Sequence, residues 1–179
     1  PFAVAPTTLE ELDYPQGDQN IFNHYSGSGG IPIGNLYQRF SASIFLGEPR
    51  LLNTGVLTDN SKVLVRREVR QRVSALAPFL DLNGEPYLIS VFVPKDIAGY
   101  DSSQHQYWIV EGYTKSRTYP YASSLPDGSP IRYIRNSVKV IVDAYHGKVN
   151  LYISEPDDPL ITGWRNLFPE LFKDLDEMP

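Results

Sequence analysis

The second half of the chain constrains the fold most. From Pro86 onward it carries "YLISVFV", "QYWIVEGYT", "SVKVIVDAY" and "KVNLYIS", four segments dominated by Val, Ile, Tyr, Phe and Trp. β-branched and aromatic residues in short runs bounded by turn signals read as strands. Only a short turn around His146–Gly147 separates the last two, and glycine there supplies the positive φ of a tight hairpin. The sequence therefore predicts an antiparallel meander. Two long connections, "PKDIAGYDSSQ" and "SRTYPYASSLPDGSP", lie between strands and have the length of binding loops.

Helical periodicity sits on either side of this block. "IGNLYQRFSASIFLGEP" has Leu36, Phe40, Ile44 and Phe45 at helical spacing, with Gly47 and Pro49 as its stop. A second helix is expected over 60–77, where Val65, Val69, Val73 and Leu76 form a stripe ended by Pro78. A third follows "EPDDP", in which Asp158 is placed to cap and Pro159 to occupy the first helical position. Residues 1–32, with four prolines and the cluster "GSGGIPIG", read as an irregular arm; a short helix over 9–13 is the one element expected there. The prediction is an α+β fold. It has an N-terminal irregular segment (1–32) and a single domain over 33–179, in which two helices pack on a mostly antiparallel sheet beside a C-terminal helix.

At 179 residues, with 41% hydrophobic and 21% charged residues, the chain has ordinary globular composition. A net charge of −5 gives nucleic acid no basic surface to meet. There are no cysteines, which excludes disulfides, thiolate metal sites and cysteine nucleophiles. No segment reaches the roughly 20 apolar residues of a membrane span, and no signal peptide is visible. Because the chain opens at Pro1 and stops at "LDEMP", we expect a soluble piece of something longer.

The candidate chemistry is concentrated in "VIVDAYHGKVNLYISEPDDP". Asp143, His146, Glu155, Asp157 and Asp158 suggest a metal or catalytic cluster. Their positions equally suit a turn and a helix cap: Asp143 precedes the turn, and Glu155, Asp157 and Asp158 stand at the positive end of a helix dipole. The run lacks the alternating loop that presents six to eight oxygens to calcium, so the turn-and-cap reading is preferred and no metal is expected. "GSGGIPIGN" precedes a helix but matches neither the P-loop nor the dinucleotide spacing. His24, His105 and His146 form no zinc-peptidase pair, and there is no G-x-S-x-G elbow. No catalytic residue and no cofactor is expected.

Two features remain as candidate surfaces. Arg66 and Arg70, four apart in the expected second helix, would share a basic face, which suits an interaction or the acidic C-terminal segment. Among twelve tyrosines, those around "YWIVEGYT" and "RTYPYA" offer Tyr107, Trp108, Tyr119 and Tyr121 as a ligand-binding patch. Tyr and Trp are also favoured half-buried strand residues, and packing is expected to claim most of them.

"DYPQG", "GGIPIGN", "RREVRQRVSALAPFL", "YWIVEGYTKSRTYPY", "YIRNSVKVIVDAYHGKV" and "EPDDPLITGWRNLFPELF" together resemble the soluble region of uncharacterised protein family 0182. The resemblance runs from about Asp13 to the end. It implies a large bacterial protein of the cell membrane, with a multi-pass segment N-terminal to this piece and a long soluble part outside the cytoplasm. It carries no activity, cofactor or catalytic residue. Glu111 and Glu155 stand where the family pattern suggests aspartate, and Arg132 where it suggests asparagine. The hairpin "VIVDAYHGKV" also resembles that of PepSY modules, over a stretch short enough to be local turn chemistry. The sequence leaves three readings open: a structural or interaction domain whose partner is the remainder of its own chain, an envelope glycan- or peptide-binding module, and, with least support, a metal-dependent hydrolase.

Overall fold

The computed structural model describes residues 2–92, 104–126 and 128–179; the expected loop "PKDIAGYDSSQ" lies almost wholly outside the described residues. The chain divides into two compact units, 1–67 and 68–179. This boundary falls well beyond the expected end of the arm at residue 32.

The first unit is richer in strands than its prolines suggest. It contains β1 (Ala3–Thr7), β2 (Glu11–Gln16), β3 (Gln19–Asn23), β4 (Ile31–Pro32), α1 (Leu36–Leu46), a 3-10 turn (Pro49–Leu52) and β5 (Leu57–Leu64). Strands β1, β5 and β4 form an antiparallel sheet in that order, and β2–β3 is a separate hairpin turning at Gly17. The irregular arm and the short helix over 9–13 are thus replaced by strands. Pro6 and Pro15 are tolerated because, among the described residues, β1 lies at a sheet edge and β2 has one partner. The expected helix over 60–77 is also corrected. Its first part is β5, where Ser61 and Val63 alternate inward with period two and are fully buried.

Helix α1 forms where expected. Asn35 caps it, its Oδ1 accepting from Gln38 N at 2.9 Å while Gln38 Oε1 accepts from Asn35 N at 3.2 Å. Gly47 ends it at φ +66°. The chain reaches the cap through Gly34, where a Cβ would stand 2.1 Å from the Asp59 carbonyl of β5. Only a residue without a side chain fits there. Arg39 fastens the inner side by donating to the carbonyls of Ile33 and Gly34, both at 3.1 Å.

The second unit comprises α2 (Val69–Leu76), β6 (Asp81–Leu82), β7 (Tyr87–Phe92), β8 (Gln104–Ser116), β9 (Tyr133–Asp143), β10 (Val149–Ile153), α3 (Pro159–Leu167) and β11 (Phe172–Asp174), with a closing 3-10 turn (Leu175–Glu177). Its sheet runs β11-β10-β9-β8-β6, and β7 also pairs with β8. Every pairing is antiparallel except β10–β11, whose connection is α3. On one face, Val110, Val138, Val140, Val142, Leu151 and Ile153 pack with Val73 of α2 and Ile161 of α3. On the other, Tyr107, Ile141 and Tyr152 form a smaller buried cluster. Central strand β9 is therefore apolar on both faces, which explains its unbroken "VIV".

The long β8–β9 ladder carries one irregularity. Between Gly112 and Tyr113 of β8 the register against β9 slips, so Gly112 faces Val138 while Tyr113 faces Asn136. The extra residue is Ser137. A bulge turns a side chain away from the face strict alternation would give it, and here the Ser137 hydroxyl reaches the N-terminus of α3.

Candidate functional site

The five residues of the suspected cluster do not converge. Asp143 ends β9, and its Oδ1 accepts from the backbone of Tyr145 at 2.9 Å and His146 at 2.6 Å. Its Oδ2 is buried with no hydrogen-bond partner among the described residues. The turn closes with Gly147 at φ +70°, and Arg72 of α2 donates to the Gly147 carbonyl at 3.0 Å. Glu155 and Asp157 are exposed. Among the described residues, no group of three or more His, Asp or Glu side chains is arranged to hold a metal ion.

Asp158 is different in kind. It is fully buried and caps α3, yet its carboxylate gathers four donors. Oδ1 accepts from Leu160 N at 3.0 Å and Tyr133 Oη at 2.6 Å. Oδ2 accepts from Thr114 Oγ1 at 2.6 Å and from Ser137 Oγ. Burial alone would raise the carboxyl pKa; the bonds from Ser137, Thr114, Tyr133 and Leu160 outweigh it and hold the pKa below the usual value. The effect on Tyr133 is reciprocal. Burial, its bond to Asp158 and the charge of that carboxylate push the phenol up to about 12. A carboxylate so fully occupied by internal donors is a structural tie between sheet and helix, with no lone pair directed at solvent. Glu111 has a parallel role on the sheet: Lys139, directly across the β8–β9 ladder, and Asn136 both donate to it. Burial raises its pKa, and those two partners bring it below normal.

The aromatic patch separates in the same way. Successive residues of a strand face opposite sides; Tyr107 enters the smaller buried cluster, and Trp108 packs against the larger one. They cannot line one cleft. Tyr119 stacks on Tyr133 with ring centroids 4.4 Å apart. The ring of Tyr121 is fully exposed and its backbone is at φ +58°.

Arg66 and Arg70 do not share a helix face. Arg66 precedes α2 at φ +49°, and the helix starts only after Glu68, whose carboxylate caps it. Arg70 donates to the Leu82 carbonyl at 2.7 Å and lies 3.7 Å from Glu85.

Two apolar surfaces are not foreseen from the sequence. The first is α1: its one buried residue is Ser43, whereas Leu36, Tyr37, Phe40, Ile44 and Phe45 are 55% to 86% exposed. The periodicity is legible, but not the face on which it lies. The second is an open groove of about 930 Å³ where α2 and α3 end. Its floor is a stack of near-parallel rings: Phe79 lies 4.1 Å from Trp164, and Phe168 is 6.2 Å from both. Leu76 and Leu167 form walls, and Glu170 is the charged residue among those lining it. "WRNLF", with Trp164, Leu167 and Phe168 at helical spacing, is the signal that the sequence offers for it.

Site and fold together define an α+β chain with an apolar groove, in which the carboxylate of Asp158 is committed to structure. A family profile described as an uncharacterised protein family, UPF0182, matches residues 1–179. The chain belongs to this family. It is 65% identical over 179 residues to a UPF0182 protein of Prochlorococcus marinus (strain MIT 9303), covering all of this chain and 19% of that protein. It is 61% identical over 179 residues to one from Synechococcus sp. (strain CC9311), covering all of this chain and again 19% of the relative. Identity is 46% over 177 residues with one from Synechococcus elongatus (strain ATCC 33912 / PCC 7942 / FACHB-805), for 99% of this chain and 18% of the relative. The chain thus spans about a fifth of the length of these relatives. No solved structure matches it.

Proposed function

We propose that this chain is a structural or interaction portion of a longer membrane protein, placed on the extracytoplasmic side and docked against the remainder of its own polypeptide. The carrying observation is the outward apolar face of α1. Leu36, Tyr37, Phe40, Ile44 and Phe45 keep most of their surface in water. Covering them would contribute on the order of 5–10 kcal/mol at about 1.5–3 kcal/mol per fully buried side chain. Exposed apolar surface on this scale marks an interaction site, and four-fifths of the polypeptide in the relatives lies outside the matched region. Among the described residues no helix is long and apolar enough to cross a membrane. The extracytoplasmic placement rests on the sequence resemblance, and the net charge of −5 argues against a nucleic-acid partner.

Hydrogen exchange tests the docking. Amides of α1 should exchange at least about tenfold more slowly in the full-length protein than in this chain alone; equal rates refute it. A cysteine at Asp18, in the exposed β2–β3 turn, tests the placement. A membrane-impermeant maleimide should label it in intact spheroplasts, and labelling only after lysis refutes the extracytoplasmic side.

A second reading, binding of an envelope glycan or peptide by the tyrosine-rich loops, draws support from Tyr121, a bulky residue in left-handed backbone with its ring in solvent. Affinity for envelope fragments that Tyr121→Ala leaves unchanged would remove that support.

A further inference from the structure

The aromatic groove continues past its own rim. Pro78 and Phe79 also line a smaller pocket of about 300 Å³, whose other walls include Asp81, Lys115 and Arg117. Lys115 is already paired with Asp81 at 2.6 Å. Arg117 is exposed and forms no ion pair among the described residues. The combined surface therefore has an apolar ring-lined run at one end and, at the other, a guanidinium with no ion pair among the described residues, with Phe79 as the partition. Glu170, beside the apolar run, repels a second carboxylate there and so fixes the direction in which an acidic ligand lies.

The shape favours one kind of occupant. The groove is open along one side, with Leu167 67% exposed, so anything seated in it keeps one flank in water. An acyl chain has no polar flank to offer. An extended peptide has one: alternate side chains enter the groove while its other flank and backbone meet solvent. Flat, parallel rings are suited to proline and aromatic side chains, the mode by which aromatic grooves take extended segments.

We propose that this groove receives an extended segment of the same polypeptide, from outside these 179 residues, carrying proline or aromatic residues followed by an acidic residue that pairs with Arg117. The proposal rests on the docking reading and names the second surface and the chemistry that it recognises. Two observations carry it: the positive charge that Arg117 presents at one end of the apolar run, and the length of tethered chain, about four-fifths of the relatives, which holds such a segment at high effective concentration.

The test is photocrosslinking in the full-length protein in its native membrane, with a photoreactive phenylalanine analogue at Leu167 or, separately, at Phe40 of α1. The Leu167 probe is expected to crosslink within the same polypeptide, to a peptide outside 1–179 that contains an acidic residue beside proline or an aromatic. Arg117→Glu should lower that yield about fivefold and leave the Phe40 crosslink unchanged. A Leu167 crosslink to a second copy, another protein or lipid, or none, overturns the proposal, as does a yield indifferent to Arg117→Glu. If Phe40 crosslinks to the remaining chain and Leu167 does not, the groove inference fails while the docking reading stands. If neither does, both fail.

Discussion

Replacing Asp158 by alanine should destabilise the second unit by about 3–4 kcal/mol. Loss of the cap on Leu160 costs about 1 kcal/mol. Thr114 and Ser137 are both buried and lose their shared acceptor. A buried orphan costs about 1–3 kcal/mol, but these two also bond each other at 3.2 Å, which keeps each near the lower figure. Tyr133 is half-buried and recovers a water, at about 0.5 kcal/mol. In a unit of roughly 110 residues, the total corresponds to a Tm lowered by about 10–20 °C. Both tryptophans, Trp108 and Trp164, lie in this unit, so fluorescence-monitored urea or thermal unfolding reports it directly. Asp158→Asn keeps a good cap and should lose less, about 1–2 kcal/mol. The pH dependence separates charge from shape. Because the native carboxyl pKa lies below the unfolded value of about 3.9, the charge contributes its full stability above that unfolded value. The contribution is lost as pH falls through the lower native one. The gap between wild type and Asp158→Asn should therefore be constant above about pH 5 and narrow below about pH 4. A loss under about 1 kcal/mol in the alanine variant, or a gap that ignores pH, refutes the assignment of Asp158 as a tie.

Three further outcomes are expected. Gly34→Ala forces a Cβ to within 2.1 Å of the Asp59 carbonyl and should cost at least about 2 kcal/mol, read as accelerated hydrogen exchange in α1; unchanged exchange would show that the approach is loose. In spectrophotometric alkaline titration one tyrosine should ionise near 12, late enough to be lost in Tyr133→Phe. The stability tied to that proton is complete below about pH 10 and falls as pH rises toward the native value. Calcium, magnesium, manganese and zinc should leave Tm unmoved, since a ligand held only by the native state must raise it; a rise with any of them would reopen the Asp143–Asp158 region as a metal site.

The start of α3 is legible in the sequence because its signals are local: Asp158 followed by Pro159 admits few alternatives, as does a glycine closing a β9–β10 hairpin. Sequence reasoning fails where the same residues satisfy two periods. Val65, Val69 and Val73 continue a helical stripe backward to the end of β5, and only the burial of Ser61 with Val63 shows the true alternation. In β1 and β2, Pro6 and Pro15 hide strands that need few backbone donors. Asp158 is recognisable as a cap, but the donors that bury it come from positions 21, 25 and 44 residues earlier, and no spacing rule reaches that far. The groove is only half legible for the same reason: "WRNLF" marks one wall, but Phe79 meets Trp164 from far along the chain.

Helix α3 is nine residues long, too short to hold its shape in water unaided, so it depends on packing against the sheet. On the ribosome, the strands that present Val138, Val140 and Val142 are complete at Ile153, and the lid formed by α3 and Phe172 follows roughly twenty residues later. At about 5–20 residues per second, the part of that face not covered by α2 waits about 1–4 s for α3. Chains stalled with Ile153 just clear of the exit tunnel should therefore recruit chaperones, and chains carried on until Asp174 is clear should shed them.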